Sequence, residues 1–244
     1  GVARLQAEVE RLGLELLMRR SEARVYLLHA AGEAAAWADA VMDHLEPPQR
    51  ERVIPILGDV AHMDLGLPSD QYRQLVQEIT EIQHVASRYR AAGGAKTLRR
   101  VNVNGTREVL ELADQCQKLR RMVHWSTVQV SGTRTGVVME DELEKGQRFR
   151  SPYEQTRYEA ERLVHRAARK LPITVLRTGV LVGDSDSGEL GAYEGPHRLV
   201  ADFVHARREQ PVILPGSGNA PVHLVPVDYV VRAGCHLSTD ESAV

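Results

Sequence analysis

Met122-Val123-His124-Trp125-Ser126-Thr127-Val128-Gln129-Val130-Ser131-Gly132, followed by Ser151-Pro152-Tyr153-Glu154-Gln155-Thr156-Arg157-Tyr158-Glu159-Ala160-Glu161-Arg162-Leu163-Val164, is the stretch from which the fold can be read. The first segment is a short apolar run that ends in two hydroxyl residues, Ser126 and Thr127. The second opens with Ser151 as a cap and Pro152 at the first helical position, a start signal that matches the chemistry of free backbone N–H groups at a helix end. Ala160, Leu163, Val164 and Ala167 then share one side, which predicts a helix over 152–171. A strand therefore ends at Thr127, and 26 residues later a tyrosine stands in the first turn of a helix. In a parallel sheet both lie near the carboxyl ends of the strands, where open α/β sheets bind ligands.

Working outward, the same alternation repeats. Arg24–Leu28 and Val53–Leu57 are compact strand candidates, the second ending at Gly58-Asp59. Ile79–Ala86 is a weaker one, and Ile173–Leu176 follows the 152–171 helix. Leu98–Leu119 sets Val101, Val109, Leu110, Leu112 and Ala113 on a broad apolar helical face. Short apolar strands alternating with such helices predict a parallel sheet covered on both faces, that is, a doubly wound α/β fold of Rossmann type. After Arg177 the texture changes. Gly183–Gly195 is rich in Gly, Asp and Ser and reads as a loop. A helix near Leu199–Ala206 follows. Two short strands come next, Val212–Leu214 and Val222–Val225, with Gly216-Ser217-Gly218-Asn219 as a hairpin loop between them, and then a last helix from Val227. The expected organisation is a Rossmann-like domain over 1–182 and a segment over 183–244 that caps the crevice and partly returns to the sheet. At the other end, Leu5, Val9, Leu12 and Leu16 predict an amphipathic helix that either packs on the sheet or offers a contact surface. No apolar strand precedes it.

Composition narrows the classes. The 244 residues are 43% hydrophobic and 26% charged, with 31 basic against 33 acidic side chains and a formal charge of −2. That balance argues against a nucleic-acid partner, although basic residues gather locally around 88–100 and 118–121. Two cysteines, Cys116 and Cys235, make no disulfide framework and match no metal spacing, and the ten histidines form no ligand pattern, so no metal is expected. No apolar run approaches the roughly 18 residues of a membrane span, and no signal-peptide pattern is present. A cytoplasmic domain is the expectation.

The chemistry centres on Thr127 and Tyr153. A hydroxyl and a phenol converging at one edge can bind a carbonyl oxygen and move a proton to it. A tyrosine with its ordinary pKa of about 10 is a poor acid–base group at neutral pH and needs a nearby cation. Arg157 lies four residues on, one helical turn away on the same face. A capped surface helix with an incidental Tyr–Arg pair would look the same.

Further residues carry a resemblance. Gly58-Asp59-Val60, His84-Val85-Ala86-Ser87, Val101-Asn102-Val103-Asn104-Gly105-Thr106, Ser126-Thr127-Val128, Pro152-Tyr153-Glu154-Gln155-Thr156-Arg157-Tyr158, Leu176-Arg177-Thr178-Gly179 and His223-Leu224-Val225-Pro226-Val227-Asp228-Tyr229-Val230 occur in this order from about 24 to 240. Together they resemble the extended short-chain dehydrogenase/reductases, especially the thioester reductase and male-sterility-type fatty acyl reductase branch. The resemblance implies Thr127 as catalytic hydroxyl and Tyr153 as acid–base tyrosine. It implies Asp59 and Val60 at the adenine, Ala86 and Ser87 beside the ribose and phosphates, Thr178 to Val180 near the nicotinamide, and Asn102 as a brace for the central sheet. It also implies a small-molecule or acyl-thioester substrate under the 184–222 segment, and a homodimer formed through the 98–119 and 152–171 helices.

Three positions depart from the family pattern. The motif lysine that contacts the nicotinamide ribose is Arg157, whose planar fork is no simple substitute for an ammonium. The glycine-rich phosphate turn is not recognisable: Arg4, Ala7 and Glu10 fall near where its glycines would align. Thr178 stands where many relatives carry proline. The first candidate strand ends in His29-Ala30 with no acid until Glu33, which leans the cofactor toward NADP over NAD. Two readings follow. One is an NAD(P)-dependent reductase acting on a carbonyl or thioester, impaired at its cofactor site unless a first strand and glycine loop lie upstream of residue 1. The other is a non-catalytic relative used for binding or scaffolding.

Overall fold

The computed structural model describes residues 23–31, 42, 45–89, 94–189, 200, 201, 204, 205 and 222–239. The expected helix at Leu5–Leu16, the strand Val212–Leu214 and the Gly216–Asn219 loop lie outside them, as does most of the helix near Leu199–Ala206. In chain order the elements are β1 (Val25–His29), α1 (Pro47–Arg50), β2 (Val53–Leu57), a 3-10 turn (Met63–Gly66), α2 (Ser69–Glu78), β3 (Glu81–His84) and α3 (Gly94–Arg99). A π-helical turn (Arg100–Asn104) carries α3 into α4 (Gly105–Gln115). Then follow β4 (Arg121–Thr127), a 3-10 turn (Val128–Ser131), α5 (Pro152–Ala167), β5 (Ile173–Thr178), β6 (Val180–Val182), β7 (Leu224–Pro226) and α6 (Val227–Thr239).

The strand pairs are all parallel: β1 with β2, β4 between β3 and β5, and β6 with β7. This is the doubly wound α/β arrangement the alternation predicts. β4 is its centre, with all seven residues buried, as a strand covered on both faces must be. Met122 joins a core that α2, α4 and α5 cover with Leu75, Val109, Leu112 and Val164. Val123 and Trp125 face the other way, into a core closed by Val227, Val230, Val231 and Cys235 of α6. Gly234 makes that close approach possible, because a Cβ there would lie 2.3 Å from the Trp125 ring.

The α5 start is as expected. Ser151 Oγ accepts the Glu154 N–H at 3.2 Å and Pro152 follows. The helix ends at Ala167, four residues before the expected Leu171. The predicted 98–119 helix is displaced to 94–115 and interrupted by the π turn, after which Cys116 is extended. The last strand also differs. It runs from Leu224, two residues after the expected start, and its partner among the described residues is β6, parallel, in a two-stranded sheet; the expected hairpin with Val212–Leu214 lies outside the described residues. No helix of the described residues is long and apolar enough to cross a membrane.

Candidate active site

Parallel strands put their carboxyl ends on one edge, and there the fold gathers the residues singled out from sequence. Asp59 and Val60 follow β2, Ala86 and Ser87 follow β3, Thr127 ends β4, Thr178 ends β5 and Val180 begins β6. The β2 end is tied to the α3–α4 helix. Arg100 in the π turn donates to Asp59 Oδ2 at 2.6 Å, His62 lies 3.0 Å from the same oxygen, and Asp59 Oδ1 accepts the Ala61 N–H at 2.9 Å. A cavity of about 850 Å³ opens beside Asp59, lined also by Tyr26, Ala30, Ile56, Gly58 and Gln71.

The Ala86–Ser87 segment has no regular structure, yet it is held. Asn102, fully buried, accepts the Arg88 N–H at 2.7 Å and donates to the Arg88 carbonyl and to Thr156 Oγ1, both at 3.0 Å. The brace expected of Asn102 therefore joins the β3 exit to α5.

Thr127 is buried at the end of β4, and its Oγ1 accepts the Gln129 N–H at 3.3 Å, which caps the 3-10 turn. Tyr153, in the first turn of α5, is half-buried, with its ring edge-on to Tyr89 at 4.8 Å between centroids. Arg157 is only 2% exposed, and its Nη2 donates to the Trp125 carbonyl in β4. Its neighbours are basic. His84 and His124 are cross-strand partners on β3 and β4 with ring centroids 5.2 Å apart. Burial, and after it the Arg157 charge, pushes His84 down to about 3; the same causes, together with His84 and His165, push His124 well below the ordinary histidine value. Both rings are neutral beside a cation. Thr106 Oγ1 donates to the Asn102 carbonyl at 2.7 Å, so its oxygen must accept from His84 Nε2 at 3.0 Å, which assigns the Nε2–H tautomer. Among the described residues, His124 Nδ1 and Nε2 and Arg157 Nε have no hydrogen-bond partner.

A second polar knot lies one helical turn further along α5. Glu161, fully buried, accepts from Ser126 Oγ, from Arg177 Nε and Nη2 at 2.9 and 2.7 Å, and lies 3.4 Å from His165 Nε2. Burial alone would raise its carboxyl, but the hydrogen bonds from His165, Arg177 and Ser126 hold it below the usual carboxylate range. Thr178 Oγ1 donates to the Ser126 carbonyl at 3.3 Å, and Val180 N–H to His223 O at 2.7 Å. The sequence assigns no role to Glu161 or to the histidine pair, although all three lie in stretches that carry the fold or the resemblance. The signal available for Glu161 is its place in the i, i+4 series Tyr153, Arg157, Glu161, His165.

A model of the male sterility protein family, an NAD-binding domain family, matches residues 12–234. A linear gramicidin synthase of Brevibacillus parabrevis is 27% identical over 241 residues, covering 93% of this chain and 5% of that protein. Fatty acyl-CoA reductase wat of Drosophila melanogaster is 24% identical over 80% of this chain and 42% of its own length. Among solved structures, the terminal R domain from the myxalamid PKS-NRPS biosynthetic pathway superposes with a TM-score of 0.82 at 29% identity, over 95% of this chain and 60% of that one. The Bacillus cereus UDP-glucuronic acid 4-epimerase in complex with NAD shares the fold, with a TM-score of 0.71 at 23% identity over 96% of this chain and 72% of that one. The chain thus spans less than two thirds of the gramicidin synthase, the acyl-CoA reductase and the R domain.

Proposed function

This chain belongs to the male sterility protein family of NAD-binding domains, and from that membership we propose that it is the nucleotide-binding part of a reductase for an acyl thioester or aldehyde. The observation that carries the reading is the position of Thr127 and Tyr153, a buried hydroxyl at a strand end and a half-buried phenol at the first turn of the next helix. The gramicidin synthase and acyl-CoA reductase relatives bear names that agree with a carrier-bound or coenzyme-bound acyl substrate.

The described residues fit a nicotinamide nucleotide at several points. Asp59 and Val60, beside the cavity, would take the adenine end. Ala86 and Ser87, in the turn that Asn102 holds, would lie along the ribose and phosphates, and Thr178 to Val180 would lie near the nicotinamide. A glycine-rich phosphate turn is not among the described residues. The bound nucleotide would supply hydride to the carbonyl carbon. Thr127 orients the carbonyl oxygen, and Tyr153 gives that oxygen a proton. Arg157, one turn below the phenol, supplies the positive charge that favours the phenolate. The substrate would lie beneath the 184–222 segment, most of which is outside the described residues. The end of β1 at His29 and the following Ala30 offer no carboxylate for the ribose hydroxyls, which leans the cofactor toward NADP over NAD.

The test is titration with NADPH and NADH followed by nucleotide fluorescence. Binding is expected, tighter for NADPH, and Tyr153→Phe should abolish turnover with affinity nearly intact. No binding at millimolar nucleotide removes the reading.

The burial of Arg157 favours a second reading. A guanidinium bonded to the Trp125 carbonyl has the geometry of a structural brace, which suits a non-catalytic binding or scaffolding relative. Arg157→Lys separates the two: activity gained or kept supports the enzyme, and absence of nucleotide binding in both forms supports the scaffold.

A further inference from the structure

Glu161 touches neither the proposed cofactor residues nor the hydroxyl pair, yet two strand ends converge on it. Ser126 reaches it from β4 and Arg177 from β5, while Glu161 itself lies on α5, two turns beyond Tyr153. Ser126 immediately precedes Thr127, and Arg177 immediately precedes Thr178. The two strand ends are also bonded to each other, through Thr178 Oγ1 and the Ser126 carbonyl. Arg177 reaches further still, with Nη1 at 3.4 Å from the Met139 carbonyl in the connection between β4 and α5.

A buried ion pair seldom adds stability beyond what a well-packed apolar pair of equal volume supplies. What it adds is direction, because each bond has a preferred length and angle. We infer that Glu161 is a positioning residue for the reaction: by tying the ends of β4 and β5 to the helix that carries Tyr153, it sets the separation of the Thr127 hydroxyl, the Tyr153 phenol and the Thr178 segment. The inference rests on the reductase reading and deepens it. Ser126 Oγ and the Arg177 fork can meet the carboxylate together only when both strand ends are in register with α5, so loss of that carboxylate frees all three to shift.

Wild type, Glu161→Gln and the double variant Glu161→Met with Arg177→Met are compared by NADPH titration, thermal unfolding and single-turnover reduction of a medium-chain aldehyde at saturating NADPH. Gln keeps the shape and removes the charge that holds Arg177. The double variant removes both charges together, which buried pairs tolerate in stability. NADPH affinity is expected to change by less than about twofold, while hydride transfer falls roughly 100-fold in both variants, the order that a misplacement of about 1 Å costs. The double variant is expected to recover the melting temperature without recovering the rate. If rate and melting temperature recover together, the pair serves stability alone and the inference is overturned; a Glu161→Gln rate equal to wild type overturns it as well. Glu161→Asp, which keeps the charge on a side chain one methylene shorter, gives the same contrast if the double variant does not fold: rate lost, affinity kept. Wild type that binds no NADPH is a separate failure, which overturns the reductase reading and the positioning role together.

Discussion

Acidification from about pH 7 to about pH 5 should weaken this protein through His84 and His124. In the unfolded chain each imidazole takes up a proton near its ordinary value of about 6.5. In the folded chain burial, with Arg157 alongside, holds His84 at about 3 and His124 well below the ordinary value. The unfolded state therefore binds more protons throughout this window, and stability must fall as pH falls below about 6.5, continuing until the folded rings titrate. The loss over these two pH units is about 2 kcal/mol for His84, and His124 adds to it in the same direction. Against a typical total of about 5–15 kcal/mol that is a large share. Glu161 does not confuse the measurement, because a carboxyl held below its ordinary value of about 4.3 loses its contribution only on further acidification. The assay is urea unfolding at a series of pH values, extrapolated to water. His124→Phe removes one titrating ring together with two nitrogens that have no partner among the described residues, so it should flatten the profile toward the loss of about 2 kcal/mol expected of His84 and leave the neutral-pH stability equal or higher. A wild-type profile that is flat over the window, or a His124→Phe profile as steep as wild type, would refute the argument.

Gly234→Ala should destabilise by about 1–3 kcal/mol or more, since the added Cβ meets the Trp125 ring between α6 and β4; urea unfolding followed by tryptophan fluorescence reads it. Asn102→Ala deletes three hydrogen bonds and should cost about 3 kcal/mol. It should also raise the NADPH dissociation constant, because Arg88 adjoins the Ala86–Ser87 turn; unchanged affinity in a folded Asn102→Ala protein would show that the turn holds itself.

Apolar periodicity makes the frame legible. β2 falls on the expected residues, and α5 begins at its expected cap because Ser151-Pro152 is a local signal that tertiary packing does not alter. Thr127, Tyr153, Asp59 and Thr178 all lie on the expected edge because parallel strands leave little choice. α2 escapes a reading from periodicity, because Tyr72 and Leu75 are its only buried residues and the rest of Ser69–Glu78 is mostly polar. The pairing of β7 with β6 is hidden because parallel partners are distant in sequence and no turn residue announces them. The polar interior is hidden for another reason. His84, His124 and Glu161 have the composition of a surface, and only the strand register and the α5 face show that they point inward. The spacing of Arg157 predicts a partner for the phenol, and nothing in the sequence indicates that its guanidinium bonds the central strand.

The wide turn at Arg100–Asn104 works as a swivel. One extra residue in a helical turn rotates everything before it by about 100° relative to everything after. Downstream of the swivel, Thr106 addresses His84. Within it, Asn102 reaches the β3 exit and α5, while Arg100 swings across to Asp59 at the end of β2. A regular helix of the same composition would gain a cleaner ladder of backbone bonds and lose that aim. Deleting one residue from 100–104 is therefore a repair that should do harm. It would straighten the helix while uncoupling the two sides of the crevice, and the damage would show first in how well the two halves act on one molecule.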